Sequence, residues 1–147
     1  MLHTTWPRFA GSFLVAYLVA SNLNWGIAEV LFNPWAQPRL DGFLREGEDA
    51  GGVNVLKLVI GFLIPQFIAI LVAASLPRPA GWAARAVYAG LLVGIAAFFG
   101  TYTFISGWGD VKLGPLMGAA VADTSCLVVG CLIAGWLQRL GRQERRE

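Results

Sequence analysis

Charge is what this chain has least of. Of 147 residues only 14% are Asp, Glu, Lys or Arg, against about 25% in an ordinary soluble domain. So few charged side chains cannot cover a water-facing surface, which excludes that class. Eleven basic residues against nine acidic leave a net charge of +2. That is too small for a nucleic-acid partner bound through neutralised phosphates. Histidine occurs once, as His3, outside any metal-ligand or catalytic spacing. Cysteine occurs twice, as Cys126 and Cys131. Five residues apart on a helix, at about 100° per residue, they point to different sides. No disulfide framework is therefore implied, and both read as small packing residues. No catalytic or cofactor motif is present, and no cofactor or metal is expected.

Apolar length is what the chain has in place of charge. Hydrophobic residues make up 56%, mean hydropathy is +0.61, and glycine is abundant at 18, as is common in membrane helices. A bilayer core about 30 Å thick needs about 20 apolar residues in a helix. Four runs reach that length, at 9–32, 53–76, 86–106 and 114–137. The first exceeds the roughly 7–15 apolar residues of a cleavable signal, so it is expected to stay as a membrane helix. Helices are the expected form, since lipid offers an open backbone no partner. The expectation is an all-α integral membrane protein with four transmembrane helices in an antiparallel bundle. Residues 1–147 would form one domain, with an external loop at 33–52 and a basic tail at 138–147.

Direction follows from the basic residues. Arg8, Arg78, Arg85, Arg139, Arg142, Arg145 and Arg146 flank one side, and Arg39, Arg45 and Lys112 the other. Seven against three places both termini in the cytoplasm. The expected location is multi-pass in a bacterial-type cytoplasmic membrane. The 33–52 loop would then lie outside, net acidic through Asp41, Glu46, Glu48 and Asp49. Its Leu40, Phe43 and Leu44 fall at helical spacing and suit the membrane face. Trp6, Trp35, Trp82, Trp108 and Trp136 fall at span ends, at headgroup level. Trp25 alone sits inside a span.

Trp25 lies in SNLNWGIAEVLFNPW, which carries amides and a carboxylate inside an apolar run. Asn22, Gly26, Glu29 and Asn33 are spaced i, i+4, i+7, i+11, on one helix face. A central charge facing lipid costs about 2.5–3.5 kcal/mol on insertion scales, so this face is expected to look inward. At about 1.5 Å per residue Asn22 and Asn24 lie near the midplane, and Glu29 roughly 13 Å outward. Lys57 falls at a similar depth in the second span, beside Asn54 and Gly61, so a Glu29–Lys57 pair is expected.

Asp123, in VADTSC, is the deepest formal charge, and Asn22 and Asn24 are both placed to donate to it. Gln66, after Pro65, lies just inward of the midplane, and Tyr102 in the outer third span. Together they suggest a funnel open to the outside. Its floor would be Asp123, Asn22 and Gln66, and its rim Glu29, Lys57 and Tyr102. Gly90 with Gly94, and Gly114 with Gly118, form G-x-x-x-G pairs that suit close helix packing, within the bundle or in a homodimer.

The segment LNWGIAEVLFNPW resembles the first helix of four-span bacterial proteins, over that helix only, and implies no mechanism. Small multidrug exporters carry a deeper first-helix carboxylate and shorter loops. Four-helix glutathione-linked enzymes carry E-R-x-x-x-N, whose Arg and spacing EVLFN lacks.

Three functions compete on these residues. One is a non-catalytic subunit or interaction protein, whose polar seam grips a membrane protein partner. Another is a small-solute or ion/proton-coupled transporter or channel with Asp123 as its carboxylate, plausibly as a homodimer. The last is a membrane-embedded lipid or quinone enzyme using Glu29, Asp123 and Tyr102 for proton transfer.

Overall fold

The computed structural model describes residues 5–36, 39, 55–77, 81–109 and 111–143. Apart from Arg39, the expected external loop beyond residue 36, including its acidic residues and Leu40, Phe43 and Leu44, lies outside them, as do His3, Asn54 and Arg78.

Every regular element among the described residues is helical. The first span is α1 (Trp6–Ile27), a five-residue π-helical turn (Ala28–Phe32) and the short α2 (Asn33–Ala36). The second is α3 (Val55–Ser75). The third is α4 (Trp82–Gly94), a second π-helical turn (Ile95–Phe99) and α5 (Gly100–Trp108). The fourth is α6 (Leu113–Gln143). Four stretches are long and apolar enough to cross a membrane: Trp6–Phe32, Leu56–Ser75, Trp82–Gly107 and Leu113–Arg139.

The boundaries differ from those expected at the span ends. α1 begins at Trp6 because Pro7 suits the first helical turn, where its missing N–H is not needed. The third span begins at Trp82 because Trp82 and Arg85 extend the helix beyond its apolar part. Asn33–Ala36, expected as loop, is a helical turn. Pro65 sits inside α3 without ending it. Gly81 precedes α4 with φ +92°, a backbone conformation that strains any residue with a Cβ.

Lipid gives apolar helices no reason to associate, so close packing must hold them together. The fourth span touches all three others and supplies most of that packing. Gly90 and Gly94 of α4 lie against it. A methyl on Gly90 would come 2.8 Å from the Val128 backbone, and one on Gly94 2.7 Å from Thr124 Oγ1. The first G-x-x-x-G pair thus serves contacts within the chain. Of the second pair, Gly118 lies 3.2 Å by the same measure from the Trp35 ring, while Gly114 meets open space.

Aromatic rings link the remaining spans. Phe67 of α3 meets Phe9 and Phe13 edge-on, at 6.0 and 5.4 Å between centroids. Phe62 lies 6.5 Å from Tyr17 and stacks on Phe98 at 6.2 Å. Phe98 in turn lies 6.3 Å from Tyr102. Tyr17 also donates from its hydroxyl to the Val59 carbonyl at 3.0 Å. Outside this packing, Leu14, Val15, Leu18, Val19, Leu23 and many similar side chains stand exposed. An apolar exterior of that extent is compatible with four helices that cross a membrane.

Candidate functional site

Asp123 is the centre of the largest polar contact inside the four spans. Its Oδ1 accepts from Asn24 Nδ2 at 2.6 Å, and its Oδ2 from the Tyr102 hydroxyl at 2.7 Å. One carboxylate therefore joins the first, third and fourth spans. All three residues are partly buried. An ionised carboxylate is acceptor-only, and here each oxygen meets a neutral donor. Among the described residues Asp123 has no ion-pair partner.

Both donating helices carry a π-helical turn near this contact, Ala28–Phe32 after Asn24 and Ile95–Phe99 before Tyr102. The geometric effect is the same in each. At about 100° per residue, Phe32 would sit about 80° round the helix from Asn24, and Tyr102 about 80° from Gly94. One inserted residue turns each back to within about 20°. Phe32 thereby joins Asn24 in facing the fourth span, near Gly118, and Tyr102 joins Gly94. Wide turns of this kind recur at functional sites.

The expected funnel does not form. Asn22 is exposed and donates back to its own helix, Nδ2 to the Leu18 carbonyl at 2.7 Å. Two residues from Asn24 it points about 200° away, so both amides cannot reach Asp123. Gly26 and Glu29, on the face of Asn22, are exposed too. The inward face is instead set by Phe9, Ala16, Ala20 and Asn24, with Ser12 and Tyr17 beside them. Trp25 stands 48% exposed, outside the polar contact. Lys57 is also exposed, and among the described residues no ion pair links it to Glu29.

Gln66 is fully buried, but not beside Asp123. Its Nε2 donates weakly to Cys131 Sγ at 3.9 Å, and the amide lies against Gly130. Gly130 is seven residues from Asp123 on α6, roughly 10 Å along the axis. Gln66 Oε1 and Thr124 Oγ1 are buried without a hydrogen-bond partner. A further polar link, from Gln138 Nε2 to Ser12 Oγ at 3.1 Å, joins the far ends of the first and fourth spans. Neither Ser12 nor Thr124 stood out in the sequence. Their signal was position: each falls in register with a run of small inward residues.

A cleft of about 220 Å³ lies at that same end, near Arg85 and Arg139. Ser12 marks its level on the first span, 17 residues from Glu29 and so roughly 25 Å away along the helix. Among the described residues no three His, Cys, Asp or Glu side chains gather as metal ligands would. No family model, no curated protein and no solved structure matches this chain.

Proposed function

We propose that the protein is a non-catalytic subunit or interaction protein of a membrane assembly, which grips a partner through the outer polar face of its first span. One observation carries this reading. Asn22, Gly26 and Glu29 share a helix face that single-chain packing leaves exposed. Polar groups on a membrane-facing surface are costly. A partner helix would cover them, and a methyl on Gly26 meets no atom within 4 Å, so a backbone can approach there. The partner is a second copy of this chain or another membrane protein.

The bundle in this proposal is antiparallel, with both termini on the cytoplasmic side of a multi-pass arrangement. Support comes from the pairing of Phe9 with Phe67 and of Tyr17 with Val59, and from the distribution of arginines. A transporter or channel would centre on Asp123 as an exchangeable ligand. Both of its oxygens are held by Asn24 and Tyr102, which favours a tie between helices.

The test is purification from native membranes in mild detergent, comparing wild type with Gly26→Leu and Asn22→Leu. Wild type is expected to migrate as a complex larger than one chain. Both variants are expected to lose the partner while keeping the wild-type helix content, since neither position packs inside the chain. A single-chain particle for wild type, or variants that keep their partner, would defeat the proposal.

A further inference from the structure

Two guanidinium groups share one cleft, and no described carboxylate lies near them. The cleft is lined by Arg85 and Arg139, with Gln138 and Trp82 beside them and Ile70 and Ala134 on its apolar wall. Glu29 and Asp123 are the only carboxylates among the described residues. Asp123 is 16 residues from Arg139 on the same helix, roughly 24 Å away. Two like charges facing a partly apolar cavity raise each other's energy, and a bound anion would relieve both.

One of the two arginines is held in place. Arg85 donates from Nε to the Gly81 carbonyl and from Nη1 to the Leu76 carbonyl, both at 3.3 Å. Two of its five N–H groups are used, and three remain for a ligand. Arg139 is exposed at the rim. Gln138 is fixed by its bond to Ser12, with its carbonyl oxygen left over. Planar guanidinium groups suit phosphate oxygens, which they can meet two at a time.

Depth and size narrow the ligand. Trp82 opens the third apolar stretch and Arg139 closes the fourth, so the cleft sits at headgroup level. Its volume is about 220 Å³. That accommodates a phosphate group and a few attached atoms. Ile70 and Ala134, both buried, give the cleft an apolar wall beside its cations.

We infer that this cleft binds a phosphate-bearing anion through Arg85 and Arg139. Two sources share that chemistry, the headgroup of an anionic phospholipid and a soluble phosphate compound. The inference stands apart from the reading of the first span, which concerns the opposite end and the outer surface.

The experiment uses the full chain in a neutral detergent. Native mass spectrometry reads binding of short-chain phosphatidylglycerol, of phosphatidylcholine as the zwitterionic control, and of inorganic phosphate. Wild type is expected to retain phosphatidylglycerol over phosphatidylcholine. Arg139→Gln should lower that preference about fivefold, and Arg85→Gln with Arg139→Gln about 30-fold, at roughly fivefold per surface cation. Arg85→Lys keeps the charge but loses the planar fork and the backbone bonds, so it should bind more weakly than wild type and more tightly than Arg85→Gln. Inorganic phosphate that binds on its own and is lost in the double variant identifies a soluble ligand. Lipid that binds where phosphate does not identifies the headgroup. Wild type without preference for either anionic probe, or a double variant that keeps it, overturns the inference.

Discussion

Gly130 lies so close to the Gln66 amide that a methyl group on it would stand 2.6 Å from Nε2 and 2.7 Å from Cδ. Gln66 is itself fully buried and cannot swing away. Gly130→Ala is therefore expected to destabilise the fold by about 1–3 kcal/mol, the usual range for an overpacked site. Gln66→Ala makes room for the methyl, so the double variant should be more stable than the sum of the single losses. Thermal unfolding in detergent, followed by circular dichroism, measures all three. Strictly additive losses would mean that the two residues do not meet.

The bond between Tyr102 and Asp123 can be weighed in the same way. Tyr102→Phe removes only the hydroxyl, and Asp123→Ala removes its acceptor. A double-mutant cycle should give a coupling of about 0.6 kcal/mol, and at most about 1.7, as for other hydrogen bonds between membrane helices. Asn24→Ala should couple to Asp123 by a similar amount. Denaturant titration of wild type, the three single variants and the two double variants supplies both cycles, and zero coupling at both pairs would dissolve the tie between three spans.

Cys126 and Cys131 are 0% and 1% exposed. Neither thiol should react with a membrane-permeable maleimide while the bundle is closed. Labelling should follow the unfolding rate, and complete modification should appear only in denaturant. Rapid labelling of either one in the folded protein would show that the packed face of α6 opens.

Much of this molecule could be read before its structure was known. Four long apolar runs, broken by proline, glycine and charge, became four long apolar helices. Asp123, Asn24 and Tyr102 stood out because each is polar at a depth where polarity is costly, and those three do meet. What misled was the choice of phase. The cost of charge and amides in lipid points to Asn22 and Glu29 as the inward face. Phe9, Ala16 and Ala20 define it instead: the alanines let another helix close and the Phe9 ring packs against Phe67. The π-helical turns had no signal. AEVLF and IAAFF read as ordinary helix, and the inserted residue shows only through what it brings into line. Gln66 was misplaced for a related reason, since depth along a span says nothing of which neighbour a side chain will find.

The central place of the fourth span bears on the order in which the bundle can close. A chain is made from its N-terminus, so that span is the last of the four to be made. Until it arrives, Asn24 and Tyr102 lack the carboxylate they share, Gly90 and Gly94 have no ridge to receive, and the Gln66 amide has no niche. The keystone comes last, and the early helices must wait in lipid with their polar groups uncovered.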